Sequence, residues 1–120
     1  MHELALSQSI VDQVLERAGQ ERLWSVTRIV LQVGAGAGVE AEALRFCFDA
    51  VTRDTAAQGA ELSIEVVALA AKCRECGWAF EPEALLAPCP RCGAFAPEIT
   101  AGRELRVLEF EGATDGEERP

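Results

Sequence analysis

"CRECGWAFEPEALLAPCPRCG" (residues 73–93) decides how this 120-residue chain is organised. It holds two Cys-x-x-Cys pairs, Cys73 with Cys76 and Cys89 with Cys92, in the spacing C-x2-C-x12-C-x2-C. Two thiolates separated by two residues can grip one ion from a tight turn. A glycine follows each pair, Gly77 and Gly93, and glycine tolerates the positive φ that such a knuckle needs. Two knuckles facing each other make a tetrahedral four-sulfur site suited to zinc or iron. A closed site of this kind has no open position for water or substrate, so the spacing predicts a structural metal rather than a catalytic one. From about 69 to 98 cysteine, glycine and proline concentrate and hydrophobic periodicity fades. Too little apolar sequence remains there to order the segment alone. Metal binding can supply roughly 10–16 kcal/mol of apparent folding free energy to a small zinc module. The segment therefore reads as a zinc-ribbon-like module inserted between strands.

On either side the texture is that of a helix-and-strand domain. Residues 3–18 read as an amphipathic helix, with Leu4, Ile10, Val11, Val14, Leu15 and Ala18 on one side and Ser9, Asp12 and Glu16 opposite. Glu3 falls in its first turn, where a carboxylate complements the positive helix end, and Gly19 reads as its stop. "WSVTRIVLQV" (24–33) is rich in β-branched residues and reads as a strand. "GAGAG" (34–38) reads as a flexible turn; it lacks GxGxxG spacing and any following GK[ST], so it is no phosphate loop. Residues 40–55 read as a second helix. Its stripe is Leu44, Cys47, Phe48, Val51 and Thr55, with Phe46 on the other side. "ELSIEVV" (61–67) alternates as a second strand, and "GRELRVLEF" (102–110) resumes strand-like sequence after the cysteines. That last segment is too short to be stable alone, so it is expected to return to the first sheet. The fold class is α+β. Residues 1–68 and 101–112 form one domain and 69–100 the metal-binding domain. Residues 113–120 are an acidic tail of disordered composition.

Charge and composition narrow the function classes. The formal net charge is −9, a field that repels nucleic acid and anionic membrane surfaces. Within the cysteine module Lys72, Arg74 and Arg91 stand against Glu75, Glu81, Glu83 and Glu98, and a zinc tetrathiolate adds about −2 more. No basic face for DNA or RNA results. No segment reads as secretory, and no apolar run approaches the roughly 20 residues of a membrane span. Cysteine pairs of this kind favour a metal site in a reducing compartment, which points to the cytoplasm. Cys47 is the odd cysteine. It lies on an apolar stripe and reads as a small buried hydrophobe, since His2 is the only histidine available to activate it. "CPRCG" also resembles a rubredoxin knuckle, but the helix-and-strand domain around it exceeds what a simple iron electron carrier needs. A zinc-ribbon interaction module is the other alternative.

The remaining chemistry lies at the amino terminus, "MHE". The Met1 amine and the His2 imidazole have ordinary pKa values near 8 and about 6.5. With the amide nitrogen of His2 they can form fused chelate rings around one ion. Square-planar nitrogen donors suit Ni(II) or Cu(II), and the Glu3 amide can serve as the fourth donor. The first four amides of a helix have no intrahelical carbonyl partner, so metallating them breaks no helical hydrogen bond. Met1 is expected to persist, because initiator methionine is normally removed only before small residues.

"MHE", "LRFCFD" (44–49), the two Cys-x-x-Cys knuckles and "GRELRVLEF" occur in one order along the chain. Together they resemble the HypA/HybF family of hydrogenase nickel-incorporation proteins, over nearly the whole length. The resemblance implies a mixed three-stranded sheet with two helices and a separate zinc domain. It implies a nickel metallochaperone, not an enzyme, that matures nickel–iron hydrogenase. The nickel site would be Met1, His2 and Glu3, with a further role for the Glu3 side chain, and the zinc ligands Cys73, Cys76, Cys89 and Cys92. The implied partners are a HypB-type nickel GTPase and the hydrogenase large-subunit precursor, with urease maturation proteins for some members. Helix one is the first expected docking surface and Phe46 the second. Monomer and homodimer are equally compatible with the sequence. Some members carry histidines beside the zinc knuckles; here Arg74, Glu75, Pro90 and Arg91 stand there, so no neighbouring histidine can act as an acid switch.

Overall fold

The computed structural model describes residues 2–114. The order is α1 (Glu3–Gln20), β1 (Leu23–Gly34), α2 (Ala41–Thr52), β2 (Glu61–Val67), β3 (Ala70–Cys73), β4 (Ala79–Phe80), β5 (Pro97–Ala101) and β6 (Leu105–Thr114). One three-stranded sheet runs β2-β1-β6 and a second runs β4-β3-β5. The α+β expectation of two helices, one sheet closed by the last strand, and an inserted four-cysteine module is borne out. No helix among the described residues is long and apolar enough to cross a membrane.

The first sheet is mixed. The Ala35 N–H just past β1 donates to the Val67 carbonyl at the end of β2 (2.8 Å), so the carboxyl ends of these strands lie together, as a βαβ crossover requires. The Gly34 N–H donates to the Glu104 carbonyl just before β6 (2.6 Å), while near the other end Thr27 Oγ1 donates to the Glu111 carbonyl (3.3 Å); β6 is therefore antiparallel to β1. In the second sheet β3 pairs antiparallel with both neighbours, Ala71 opposite Phe80 and Cys73 opposite Pro97, with a bulge between Ala70 and Ala71.

Contacts divide the chain into two units. One contains the residues up to Leu31, Val39–Ile64 and the chain from Arg106; the other contains Gln32–Gly38 and Glu65–Leu105. In the first unit α1 buries Ser7, Ile10, Val11, Val14 and Ala18, and α2 buries Leu44, Phe48 and Thr52. Val26, Ile29 and Leu31 of β1 are almost fully buried. Fully burying one such aliphatic side chain stabilises by about 1.5–3 kcal/mol. The second unit buries Val33, Leu69, Ala71, Cys73 and Cys89, a small apolar content for its length.

Several local expectations are corrected. Leu4 does not anchor α1; it is exposed, and Ser7 and Ile10 take that place. Gly19 does not end α1, which runs to Gln20; the turn is made by Arg22 at φ 60°. The second helix stops at Thr52 rather than 55. Thr52 Oγ1 donates to the Phe48 carbonyl and Thr55 Oγ1 to the Thr52 carbonyl, closing the end with side chains, so Thr55 is not on the helical stripe. Cys47 is half-buried rather than buried. Residues 102–104 are not strand: Gly102 has φ 105°, and β6 starts at Leu105. β6 also runs through Ala113 and Thr114, the first two residues of the expected tail; 115–120 lie outside the described residues, as does Met1. "GAGAG" is not a free turn. Its Gly34, Ala35 and Gly36 N–H groups donate to Glu104, Val67 and Gly102. A Cβ on Gly34 would run into the Gly102 carbonyl, so this approach of backbone to backbone requires glycine.

Candidate metal centres

The two cysteine pairs form matching knuckles. In the first, the Gly77 N–H donates to the Cys73 carbonyl (2.9 Å) and the Cys73 N–H to the Trp78 carbonyl (2.8 Å). In the second, the Gly93 N–H donates to the Cys89 carbonyl (2.8 Å) and the Cys89 N–H to the Ala94 carbonyl (2.9 Å). Gly77 and Gly93 both have φ 79°, the left-handed conformation expected of them. β3 delivers Cys73, and its pairing with β5 returns the chain beside the first knuckle: Lys72 lies opposite Glu98, and the Arg74 N–H donates to the Ala96 carbonyl (2.8 Å).

All four sulfurs lie within 4.8 Å of one another, with Cys73 to Cys92 and Cys76 to Cys89 at 3.6 Å. A zinc ion with sulfur ligands at about 2.3 Å has tetrahedral edges of roughly 3.8 Å, so the cluster has the spacing that zinc or iron requires. The Arg91 and Cys92 N–H groups point at Cys89 Sγ (3.4 Å each). Burial raises the Cys89 thiol, but those N–H groups and the neighbouring sulfurs outweigh it and bring it down to about 6. At Cys92 the Ala94 N–H pulls the thiol down, and burial and the other three sulfurs outweigh that, pushing it up to about 12. Thiols this close cannot all ionise unaided, and a cation held among them would supply the missing charge. Cys73 and Cys89 are buried, whereas Cys76 and Cys92 are exposed. Sequence reasoning missed one contact here: the Arg91 guanidinium carbon lies 4.9 Å from the centroid of the Trp78 ring. A tryptophan directly after a Cys-x-x-Cys-Gly knuckle was the available signal.

This is the one group of three or more His, Cys, Asp or Glu side chains among the described residues close enough to share an ion. His2 and Glu3 are not in it. His2 is the exposed residue preceding α1, with φ −116° and ψ 34°, and its side chain makes no capping hydrogen bond. Its carbonyl accepts the Leu6 N–H (2.9 Å), a bond of the first helical turn. Glu3 occupies the first helical position. Cys47, on α2, is not among the clustered sulfurs.

Residues 1–112 match the family described as "Hydrogenase/urease nickel incorporation, metallochaperone, hypA". The chain belongs to the HypA family. It is 43% identical over 111 residues to the hydrogenase maturation factor HypA of Geotalea uraniireducens, covering 92% of this chain and 98% of that protein. It is 45% identical over 112 residues to the hydrogenase maturation factor HybF of Klebsiella pneumoniae, covering 93% and 99%. Its fold is that of the solution structure of the nickel metallochaperone HypA from Helicobacter pylori, with a TM-score of 0.70 at 24% identity, covering 96% of this chain and all of that one. The family is one of nickel-incorporation metallochaperones, not of enzymes.

Proposed function

We propose that this protein is a cytoplasmic nickel carrier that delivers Ni(II) for the maturation of nickel–iron hydrogenase and holds a structural zinc at Cys73, Cys76, Cys89 and Cys92. The observation that carries the reading is the family match across residues 1–112, which takes in both the amino terminus and the cysteine module. The nickel ligands in this reading are the Met1 amine, the amide and imidazole nitrogens of His2, and the Glu3 amide. Two features of the chain support it. The His2 side chain is exposed and not used as a helix cap. The amides of His2 and Glu3 belong to the first turn of α1, whose N–H groups have no intrahelical carbonyl partner, so their deprotonation by a metal leaves the helix intact. A weak, exposed, protonatable site suits a protein that must release its cargo. A nickel-specific GTPase of the HypB type and the hydrogenase large-subunit precursor are the partners, with α1 presenting the metal.

Titration of Ni(II) into zinc-loaded protein with a native amino terminus tests this. One equivalent should bind with a square-planar d–d band. His2→Ala should abolish the band, and one residue added before Met1 should weaken binding without unfolding the domain. Unchanged nickel affinity in His2→Ala would remove the terminal site from consideration. Metal content of the purified protein checks the other centre: about one zinc per chain and no iron is expected.

A further inference from the structure

The four ligands of the cysteine centre are not equivalent. Cys73 and Cys89, the first cysteine of each knuckle, are buried, while Cys76 and Cys92, the second of each, are exposed. A competing ligand from solvent meets the exposed pair first, so metal loss begins with Cys76 or Cys92. Each is flanked by one member of a cation–π pair: Trp78 lies two residues after Cys76, and Arg91 lies immediately before Cys92. Both members are fixed by their backbones. The Trp78 carbonyl accepts the Cys73 N–H (2.8 Å), and the Arg91 N–H points at Cys89 Sγ (3.4 Å). The stack therefore ties one knuckle to the other by a contact that is independent of the sulfurs, beside the two ligands most open to attack.

We propose that the Arg91–Trp78 stack is a latch that keeps the exposed ligands Cys76 and Cys92 on the metal and so sets how fast this centre gives its metal up. The latch rests on the metal-site reading above. Its two members are positioning residues; neither touches the ion. When one exposed thiolate lets go, the stack holds its knuckle near the other, and religation competes with capture by an acceptor. Without the stack the free knuckle swings away and capture wins more often. A cation–π pair at a partly exposed site is expected to change the release rate by about 2- to 5-fold.

The test uses the full-length chain loaded with one equivalent of Zn(II) and mixed with excess chromophoric chelator, following release with time. Arg91→Ala and Trp78→Leu should each release zinc about 2- to 5-fold faster, with unchanged zinc stoichiometry. The double variant should release no faster than either single one, because both remove the same contact. Arg91→Lys, which keeps a cation to set over the ring, should restore most of the wild-type rate. Two outcomes overturn the latch: single variants with wild-type release, or a double variant whose acceleration is the product of the two. The second would mean that Arg91 acts through its charge on the thiolates alone, independently of the ring. If Trp78→Leu does not fold, Trp78→Phe replaces it in the cycle, with a smaller acceleration and the same non-additivity expected. A wild-type protein that takes up no zinc refutes the metal-site reading instead, so the two failures are distinct.

Discussion

At the scale of single residues, chemistry concentrates where backbone donors meet sulfur. Cys89 is lowered to about 6 and Cys92 raised to about 12 in the metal-free protein, although they belong to one knuckle. The signs of their contributions are opposite. A lowered thiol favours the folded state above its unfolded value, near 8.5, and loses that contribution as pH falls through about 6. A raised thiol favours the folded state below the unfolded value and loses its contribution as pH rises towards 12. Wherever the second knuckle keeps its fold without metal, ultraviolet thiolate absorbance should therefore show one thiolate already present at neutral pH, disappearing as pH falls through about 6; a knuckle that unfolds on metal removal should show none until pH approaches the ordinary thiol value. Cys89→Ser should remove that step, and Cys92→Ser should move it to higher pH, because the Cys92 side chain is among the groups that lower Cys89. The four cysteines and His2 were legible because their meaning is local, carried by spacing and position. The Trp78–Arg91 contact was not, because thirteen positions separate the partners and only the folded knuckles bring them together. Leu4 misled for the complementary reason: an apolar residue in the right helical phase is buried only if something packs over it, and the first turn of α1 leaves it 59% exposed.

At the scale of elements, long periodic segments were readable and short paired ones were not. α1, β1, α2, β2 and β6 each carry enough residues for a period to show. β4 has two residues and β3 four; nothing in so short a run distinguishes strand from loop, and their existence depends on pairing with each other and with β5. The "GAGAG" segment is a turn, as its composition predicts, but a pinned one rather than a flexible one. Glycine runs are flexible in isolation, but here glycine is needed for close approach: Gly34 packs backbone to backbone on Gly102. Gly34→Ala places a methyl where the Gly102 carbonyl stands and should cost at least about 1–3 kcal/mol, as overpacking does. A lowered chemical-denaturation midpoint measures it. Gly38→Ala is the contrasting neighbour: its Cβ meets nothing, and only the positive φ of 75° opposes it.

At the scale of the whole molecule, the two units depend on different sources of stability. The first unit has a conventional aliphatic core of Val11, Val14, Ile29, Leu31 and Leu44. The second buries few apolar side chains, and two of those that it buries are metal-site cysteines. Stripping the metal with a strong chelator should therefore raise amide hydrogen exchange across 70–101, while amides of α1 and α2 keep their protection. Uniform loss of protection in both would show that the metal stabilises the entire chain. The net charge of −9 belongs to this scale too: it is a property of composition and disfavours contact with polyanions whatever the geometry.

β1 is shared between the units: its residues up to Leu31 group with the helices, and Gln32 onward with the cysteine module. This governs how the protein can be dissected. A peptide spanning 65–105 would carry every cysteine of the metal centre yet leave the carbonyls of Val67, Gly102 and Glu104 without the N–H groups of Ala35, Gly36 and Gly34. Such a fragment would be a truncated template, and a synthetic 32–38 heptapeptide is the piece that would complete it. Split-protein reporters cut in this chain should therefore be broken after residue 38, not at the edge of the cysteine-rich segment.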